Sequence, residues 1–484
     1  GMITVKRKRT VNKQIEAFDI DMDTLTYTLV DDVDHGTLNL SSNGEYSYYA
    51  QASGLTQFSY QVSDGTLTDT GTIRIKVKSE SSNNNQQVPP TINPDADQVT
   101  DEPIVIDIED AQVGEDNVEV AFVPGSSNVQ VQLNVENLQT LQATKKLLEV
   151  KTDFAHYIVD ASKIDIDTIQ STFGQGVSPS QILVSVHMKK AQDKNLEMND
   201  ALDARDGLEV MSTPVEFEME YSYNGKTVKG NVFTGYIRRL ILIPEHVNPA
   251  DVTTAVVIEA NYSMRPVPTK IVERDGRYYA EVHSRTNSTY VLIRQDVNFS
   301  DMHQHWSEDT VYMMASRLIV QGKSATHFEP DAFTSRAEFI TMVVKAMGLD
   351  VQMSDTQFSD VKAKDWYYEA VQTGAHYGLA SGYNQTYRPN DTITREEACV
   401  ILSHMMHLIK EDADRFDANN VTKGINAFSD QAQVASWAVD SVELAAAYDI
   451  LQGKGENQIK PKDYLTRAEA ITFVHRVMKA LELF

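Results

Sequence analysis

The last part of the chain repeats one residue pattern three times, and this repetition restricts the possible folds more than any other feature. The tripeptide Phe-Ser-Asp begins the copies at Phe299, Phe358 and Phe428. The only three tryptophans of the sequence follow shortly afterwards, at Trp306, Trp366 and Trp437. A Pro-x-x-x-x-[Ser/Thr]-Arg-x-Glu segment then closes each copy, ending at Glu338, Glu397 and Glu469. Because order and spacing are nearly constant, the copies are modules that bury their cores against neighbours.

Each copy is predicted to form a helix, a loop and a second helix. In the first copy Val311, Met314, Ala315 and Leu318 fall on one helical face. A glycine turn is expected to end this first helix, at Gly322, Gly382 and Gly453. The second helix is predicted to begin with a capping box, formed by Ser335 with Glu338, Thr394 with Glu397, and Thr466 with Glu469.

An arginine occupies the first helical position after each capping residue, at Arg336, Arg395 and Arg467. The helix dipole disfavours a cation there, so the placement needs a reason. One reason is a structural ion pair with an acidic residue of a neighbouring repeat. The other is a carboxylate or phosphate ligand, held by the guanidinium and the helix N-terminus together. The tryptophans leave a similar choice, between core anchors and platforms for a sugar ring.

The three copies resemble S-layer homology domains. The resemblance rests on Phe-Ser-Asp, the tryptophan, the glycine turn, and the segments Ser-Arg-Ala-Glu, Thr-Arg-Glu-Glu and Thr-Arg-Ala-Glu. It implies three repeats, at 299–357, 358–427 and 428–484, packed as an all-α pseudo-threefold spindle with binding grooves between adjacent copies. It also implies non-covalent attachment of an exported protein to the bacterial cell wall. The implied ligand is a secondary cell-wall polysaccharide that carries a pyruvate ketal on N-acetylmannosamine.

Carried over position by position, the resemblance assigns polysaccharide binding to nine residues. They are Arg336, Arg395, Arg467, Trp306, Trp366, Trp437, Gly322, Gly382 and Gly453. A pyruvate ketal offers a carboxylate to a guanidinium, and a sugar ring offers an apolar face to an aromatic side chain or a glycine-floored groove. Two positions depart from the family pattern, Ser335 in place of threonine and Glu396 in place of alanine. We expect Glu396, next to Arg395, to weaken anion binding at the second copy.

The overall charge restricts the possible partners. The chain has 69 acidic and 43 basic residues, a formal charge of -26, which argues against a nucleic-acid partner. The same charge repels an acidic polysaccharide. Local arginines must therefore outweigh a long-range field that physiological salt screens over about 8 Å.

Residues 1–78 show short alternating strands separated by turn signals, which predicts a β-sandwich. Three segments resemble bacterial cadherin-like or Ig-like repeats, namely Asp19-Ile20-Asp21-Met22-Asp23, His35-Gly36-Thr37-Leu38 and Val62-Ser63-Asp64-Gly65. Alternate aspartates supply the hard oxygen ligands that calcium prefers, so Asp19, Asp21 and Asp23 are candidate calcium ligands. Met22 replaces the glycine often found there in the family, and a solvated acidic turn is the alternative interpretation.

Residues 79–90 are polar and end in two prolines, which is typical of a linker. A second β-rich region follows at 91–298, as one module or two subdomains. Its predicted strands include Val129–Val135, Ile182–His187 and Val215–Tyr221, with a short helical crossing expected at Ile164–Phe173. Its C-terminal part resembles a module that often precedes S-layer homology domains, and its end resembles the self-cleaving strand of GAIN-type domains. That cleavage needs a histidine two residues before Ser288, where Thr286 stands, so we predict no autoproteolysis.

The remaining features point to an anchored, non-catalytic surface protein. No run of eighteen apolar residues occurs, so no membrane span is expected. Gly1-Met2 is interpreted as an expression remnant, and the chain as the C-terminal portion of a longer exported protein.

Cys399 is expected to be a buried, inert thiol, and His303, His305 and His327 to be solvated loop residues rather than metal ligands. No cofactor other than calcium is expected.

A wall-anchored enzyme that acts on polysaccharide is the alternative from another functional class. Two carboxylate pairs, Asp107 with Glu109 and Glu216 with Glu218, have the residue types for acid–base chemistry. Alternate carboxylates on a strand more often form a solvated face, so the prediction is that this chain is not an enzyme. An adhesin or a self-assembling surface lattice remains compatible with anchoring, and the expected location is the extracellular cell wall.

Overall fold

The computed structural model describes most of the chain. The described residues are 2–6, 10–15, 25–78, 91–92, 104–105, 117–191, 207–409 and 424–484, apart from 34, 52–53, 64, 66–67, 123–124, 175, 231, 260–262, 357 and 456. They belong to two compact units, 1–88 and 89–484. The aspartates proposed to bind calcium and the carboxylates Asp107 and Glu109 lie outside the described residues.

The first unit is a sandwich of two β-sheets, as the alternating sequence predicts. Its strands are β1 Met2–Lys6, β2 Thr10–Gln14, β3 Thr26–Asp31, β4 Thr37–Leu40, β5 Glu45–Tyr49, β6 Gly54–Ser63 and β7 Thr68–Lys78. One sheet has the order β1-β7-β6-β3 and the other β2-β5-β4. Inward-facing Tyr46 and Phe58 meet edge to face at 5.1 Å, because alternate residues of a strand point to the same side.

The β-rich part of the second unit contains two larger sheets packed on a common core. Its strands are β8 Thr91–Ile92, β9 Ile104–Val105, β10 Val118–Ala121, β11 Asn128–Asn134, β12 Leu147–Lys151, β13 Ala155–Asp160, β14 Leu183–Lys190, β15 Leu208–Val210, β16 Val215–Tyr223, β17 Lys226–Lys229, β18 Val232–Leu242, β19 Thr254–Ile258, β20 Met264–Val267, β21 Thr269–Arg274, β22 Arg277–Thr286 and β23 Thr289–Gln295. One sheet has the order β21-β22-β18-β13-β12-β10-β8. The other has the order β20-β19-β23-β16-β14-β11-β9, with β15 added at β23 and β17 at β16.

Two helices cross this β region. The expected helix near Ile164 is present at Ile166–Phe173, where Asp165 accepts the Thr168 N–H at 3.0 Å. The other helix, Val135–Thr144, corrects the strand that the sequence predicts up to Val135. Asn134 and Asn137 form a reciprocal capping box, with distances of 2.9 and 3.0 Å, and this starts a helix directly after β11.

The three C-terminal repeats have the predicted pair of helices each. The first helices are Glu308–Ser316, Tyr368–His376 and Val439–Ala447, and the second helices are Arg336–Ala346, Arg395–Ile409 and Arg467–Ala480. Buried residues of all three repeats, such as Phe339, Leu402 and Phe473, belong to one continuous core.

Short 3-10 turns occur at Ala161–Lys163, Pro179–Gln181, Pro249–Asp251, Ile425–Ala427 and Gln431–Gln433.

The first repeat is joined to the β-rich region by specific contacts. The Tyr236 hydroxyl donates to the Met347 carbonyl at 2.7 Å, and an Arg317 N–H donates to the Thr269 carbonyl at 2.8 Å. Gly348 has φ +61°, and a Cβ there would lie 2.9 Å from Val267 Cα. The chain therefore passes too close to the β-rich region at this point to carry a side chain.

Candidate functional site

The Phe-Ser-Asp motif ties the start of each repeat to the loop before its second helix. Each aspartate accepts two backbone N–H groups of that loop: Asp301 from Phe328 and Glu329 (2.9 and 2.7 Å), Asp360 from Tyr387 and Arg388 (2.8 and 2.7 Å), and Asp430 from Ile459 and Lys460 (2.7 and 2.8 Å). Burial by itself would raise the pKa of Asp301, but these hydrogen bonds outweigh it and lower the pKa. The motif is thus a structural clamp on the loop.

The turn glycines lie against the motif phenylalanines. A Cβ on Gly322 would be 2.7 Å from Phe299 Cε1, one on Gly382 would be 2.7 Å from Phe358 Cε1, and one on Gly453 would be 3.1 Å from Phe428 Cε1. The expectation that these glycines end the first helices is wrong. Those helices end earlier, and residues with positive φ follow them, at Leu318, Gly378 and Asp449. The turn glycines are needed for close approach instead.

All three capping boxes are present at the second helices. The hydroxyls of Ser335, Thr394 and Thr466 accept the N–H of Glu338, Glu397 and Glu469 at 3.2, 3.3 and 3.2 Å, and each glutamate accepts the N–H of its capping residue in return. The next two backbone donors of each helix are also occupied, by carbonyls of another repeat. For example, Arg336 N donates to Asp391 O at 2.9 Å, and Ala337 N to Pro389 O at 2.9 Å.

This pairing corrects one part of the ligand hypothesis. The same two bonds occur at Arg395 and Glu396, to Asp463 and Pro461, and at Arg467 and Ala468, to Ala332 and Pro330. The first N–H groups of the three helices are therefore already used, and the helix N-termini do not offer them to an anion. A closed triangle of backbone bonds, from Thr334 to Leu465, Leu465 to Ile393 and Ile393 to Thr334, lies beside them (2.9, 3.1 and 3.0 Å).

The three arginine side chains cross from one repeat to the next. Their Nη1 atoms lie near the capping-box carboxylates of the following repeat, in the pairs Arg336–Glu397, Arg395–Glu469 and Arg467–Glu338 (3.3, 3.6 and 3.0 Å). We name these sites the 1–2 groove, the 2–3 groove and the 3–1 groove. The third repeat pairs with the first, so the contacts form a closed cycle.

Two further donors of each guanidinium bind loop carbonyls in the same neighbouring repeat. The Nε atoms donate to Tyr387, Ile459 and Phe328 (3.0, 2.8 and 3.0 Å), and the Nη2 atoms to Ser381, Gln452 and Gln321 (3.1, 3.0 and 2.7 Å). The arginines are only 7, 2 and 3 % exposed. Burial lowers the pKa of Arg395 and Arg467. One of the two interpretations, an ion pair with an acidic residue of a neighbouring repeat, is therefore present, with glutamate as the partner.

The tryptophans lie on the surface, which excludes their interpretation as core anchors. Trp306, Trp366 and Trp437 are 63, 67 and 60 % exposed. Each lies two residues before the first residue of the first helix of its repeat. The His305 ring lies 5.5 Å from the Trp306 ring, and the Tyr367 ring 5.3 Å from that of Trp366.

Two surface cavities border the carbonyls that the arginines bind. One, of about 530 Å³, is lined by Phe299, Gln321 and Gly322 among others. The other, of about 570 Å³, is lined by the matching residues Phe358, Ser381 and Gly382. Two of the three predicted binding glycines, Gly322 and Gly382, therefore lie at concave surface next to the 3–1 and 1–2 grooves.

Sequence reasoning missed the residue that follows each turn glycine. Lys323 contacts Glu338 in the 3–1 groove, and Lys454 Nζ lies 2.5 Å from Glu469 Oε1 in the 2–3 groove. Tyr383 occupies the matching position of the second repeat. Alignment of the three copies could have identified this position, because it is Lys, Tyr and Lys next to a glycine that all three copies share.

Glu396 does not lie where we expected it to weaken anion binding. It is buried and faces the third repeat, where it contacts Lys462 and accepts the Ala435 N–H at 3.0 Å. Its charge is therefore engaged by other groups than Arg395. The effect on binding stays a prediction, but the geometry gives it little support.

Other candidate groups have ordinary structural surroundings. Burial raises the pKa of the free Cys399 thiol to about 12, as expected for an inert thiol. Among the residues that the structure describes, no group of three His, Cys, Asp or Glu side chains could hold a metal ion. The calcium site stays a prediction, and a calcium-dependent rise in the unfolding temperature of the first unit would support it.

Glu216 and Glu218 lie on β16 with Phe217 buried between them, and Glu218 contacts Lys229 at 3.2 Å.

At the GAIN-like strand, Asn287 Oδ1 accepts the Tyr157 hydroxyl at 2.5 Å and an Arg239 N–H at 2.8 Å. The absence of autoproteolysis after Asn287 stays a prediction.

Comparison with known protein families identifies the three repeats and the N-terminal β-sandwich. The S-layer homology domain model matches residues 298–340, 357–399 and 427–471, and a bacterial Ig domain model matches 2–76. An amylopullulanase of Thermoanaerobacterium thermosulfurigenes is 32 % identical over 40 % of this chain, which covers 10 % of that protein. The exoglucanase XynX of Acetivibrio thermocellus is 32 % identical over 39 % of this chain and 17 % of its own length.

A surface-layer 125 kDa protein of Lysinibacillus sphaericus is also similar, with 27 % identity over 37 % of this chain and 14 % of that protein. The chain thus spans less than a fifth of these relatives. No helix in the described part of the chain is long and apolar enough to cross a membrane. The chain carries three S-layer homology domains and an N-terminal bacterial Ig domain, and it is an extracellular protein attached to the cell wall.

Proposed function

We propose that residues 299–484 form an all-α pseudo-threefold spindle that binds pyruvylated secondary cell-wall polysaccharide in its three grooves. The protein is thereby held on the wall without a covalent bond, and the β modules project from it. The exposure of all three tryptophans carries this proposal. The three indole rings offer large apolar faces at equivalent surface positions, and the apolar face of a sugar ring suits an indole.

The arginines fit this role through the N–H groups that remain. A guanidinium has five N–H donors, and the contacts described above use three of them in each groove. The proposal assigns the remaining donors of the nearly buried Arg336, Arg395 and Arg467 to the ketal carboxylate. Gly322, Gly382 and Gly453 would form the floor of the sites, where the missing side chain lets the sugar approach the backbone.

Binding to purified cell wall, with and without chemical removal of pyruvate, tests the proposal. Trp306→Ala, Trp366→Ala and Trp437→Ala should each weaken binding roughly fivefold to tenfold, about 1 to 1.5 kcal/mol for one covered indole face. Tyr278→Ala is the matched control, because this exposed aromatic residue lies in the β-rich region. Equal binding by the three tryptophan variants and the control would refute the proposal.

The arginine variants are less decisive for binding. Arg336→Ala, Arg395→Ala and Arg467→Ala are expected to weaken it, but each also removes contacts between repeats. Their loss of binding is informative only where the unfolding transition shows that the variant is folded.

Two further properties are part of the proposal. We expect no hydrolysis of wall or plant polysaccharides by this chain, although an amylopullulanase and an exoglucanase each match about two fifths of it. Reducing-sugar release above that of a boiled sample would contradict this. Self-assembly into a surface layer is compatible with anchoring, and two-dimensional arrays in electron micrographs would support it.

A further inference from the structure

The three grooves share a buried ion pair but differ in their accessible cations. In each groove the arginine side chain is nearly closed off, with 9, 2 and 4 % exposure for Arg336, Arg395 and Arg467. Each faces one capping-box carboxylate, which offsets its charge. We call the residue after each turn glycine, which is Lys323, Tyr383 or Lys454, the third residue of its groove. An acidic ligand that approaches from solvent therefore meets this third residue first.

In two grooves that third residue is a lysine. Lys323 and Lys454 share the carboxylate oxygen that faces the arginine, and their side chains are 40 and 32 % exposed. A lysine ammonium has three donors, so it can keep the glutamate and still bind a carboxylate. Burial by itself would raise the pKa of Glu338, but the bonds from Lys323 and Ser335 N outweigh it and lower the pKa. The lysine is thus fixed beside the groove by a charged partner.

In the described part of the 1–2 groove no lysine takes this place. Tyr383 replaces the lysine and is 73 % exposed. Among the described residues no lysine pairs with Glu397, and its side chain is the most exposed of the three glutamates, at 24 %. The formal charge of arginine, glutamate and third residue is zero here and one positive in each of the other grooves.

A second position ranks the two lysine grooves. Each motif aspartate accepts two loop N–H groups, and the second of the two donors is Glu329, Arg388 or Lys460. Glu329 brings a negative charge near Arg467 in the 3–1 groove, whereas Lys460 holds the matching position at the 2–3 groove. Arg388, beside the 1–2 groove, pairs with Asp391 at 3.7 Å, which offsets its charge.

We propose that Lys454 and Lys323 select the acidic group of the saccharide, so that the 2–3 groove binds it most tightly, the 3–1 groove next and the 1–2 groove least. This ranking rests on the proposed polysaccharide binding. The exposed face of Tyr383 suits an uncharged sugar instead. The three repeats would then contact chemically different units along one glycan rather than three copies of one unit.

Titration of the whole chain with purified pyruvylated polysaccharide, and with the same polymer after removal of pyruvate, tests the ranking. Lys454→Ala should weaken binding to the acidic polymer about tenfold and Lys323→Ala about threefold, whereas Tyr383→Lys should strengthen it. Lys189→Ala, an exposed lysine of β14 with the same change in charge, should have no effect. The differences should disappear on the polymer without pyruvate.

The outcomes separate the two proposals. If the wild type binds the acidic polymer but both lysine variants match Lys189→Ala, the ranking is refuted and polysaccharide binding stands. If the wild type binds neither polymer, the proposed function fails and the ranking with it. Thermal unfolding midpoints equal to that of the wild type would confirm that the variants are folded.

Discussion

The β-rich region and the repeats each bury arginines, but they satisfy them in different ways. Arg239 of β18 is completely buried and donates to four acceptors of its own module: Ile237 O, Ser284 O, Thr286 O and Asn287 Oδ1 (3.0, 3.3, 2.8 and 2.8 Å). No carboxylate pairs with it among the residues described. The repeat arginines each reach a carboxylate and two carbonyls of a neighbouring module.

This difference shows what each cation stabilises. Arg239 lies 5.0, 5.5 and 5.0 Å from the rings of Tyr157, Phe217 and Tyr290, so it packs against strands of both large sheets within one core. The repeat arginines hold separate helical modules together. One buried residue type therefore serves internal order in one region and assembly in the other.

The largest effect is expected from Arg239→Ala. It leaves a cavity and buried acceptors without donors, so the free energy of unfolding should fall by about 4 kcal/mol in urea titrations. Arg238→Ala, at the next position and partly exposed, should cost less than about 1 kcal/mol. Similar losses for both variants would remove the distinction between Arg239 and an ordinary strand residue.

Arg395→Ala should cost about 3 kcal/mol, because Glu469 and two carbonyls lose their buried partner. Arg395→Lys should recover little of this, since an ammonium cannot reproduce the planar fork of donors. Arg388→Ala, on an exposed loop of the second repeat, is the control and should change the free energy of unfolding by about 0.5 kcal/mol or less. Full recovery by lysine would show that charge alone joins the repeats.

The β-rich region should lose stability in acid through Glu281. Glu281 lines a cavity of about 530 Å³ between β22 and the end of the chain at Leu483. Burial by itself would raise its pKa, but His283, Lys270 and Arg238 outweigh it and lower the pKa from 4.5 to about 2. A lowered pKa contributes stability above the unfolded value, and this is lost as the pH falls from 4.5 towards 2.

Glu281→Gln should therefore remove roughly 2 kcal/mol of stability at pH 6 and flatten the loss between pH 4.5 and 2. Thermal unfolding across this pH range measures both effects. Glu273→Gln, at an exposed position of β21, is the control. An unchanged acid profile for Glu281→Gln would show that the ion pairs of this carboxylate do not stabilise the fold.

The smallest effect on stability is expected from the exposed tryptophans. Trp306→Ala, Trp366→Ala and Trp437→Ala should each change the free energy of unfolding by about 0.5 kcal/mol or less, since little of each ring is buried. A loss above about 2 kcal/mol in urea unfolding would mean that the indoles support the fold. These variants therefore separate binding from folding, which the arginine variants cannot do.

Repetition made the helices of the C-terminal part predictable, because three copies show which positions keep their residue. The capping boxes at Ser335, Thr394 and Thr466 followed directly from the pattern. The partner of each arginine did not, since Glu338, Glu397 and Glu469 already had a local role as capping residues. Only the three-dimensional arrangement shows that the second carboxylate oxygen serves a neighbouring repeat.

The β-rich region was less predictable because its signals are not repeated. Alternation predicted β11, β14 and β16, but the helix starting at Val135 depends on the short-range pair Asn134 and Asn137. The acceptors of Arg239 lie up to 48 residues further along the chain. No local pattern could indicate them.

The link from Arg467 back to Glu338 has a consequence for how such an anchor changes in evolution. A linear array of repeats leaves an apolar end on its first and last member and needs specialised terminal units to cover them. Here the last member covers the first, so no such unit is required. Loss of one repeat would remove two of the three arginine–glutamate contacts between repeats. An added fourth repeat would find no unpaired neighbour in the closed cycle, so we expect the number of repeats to stay at three.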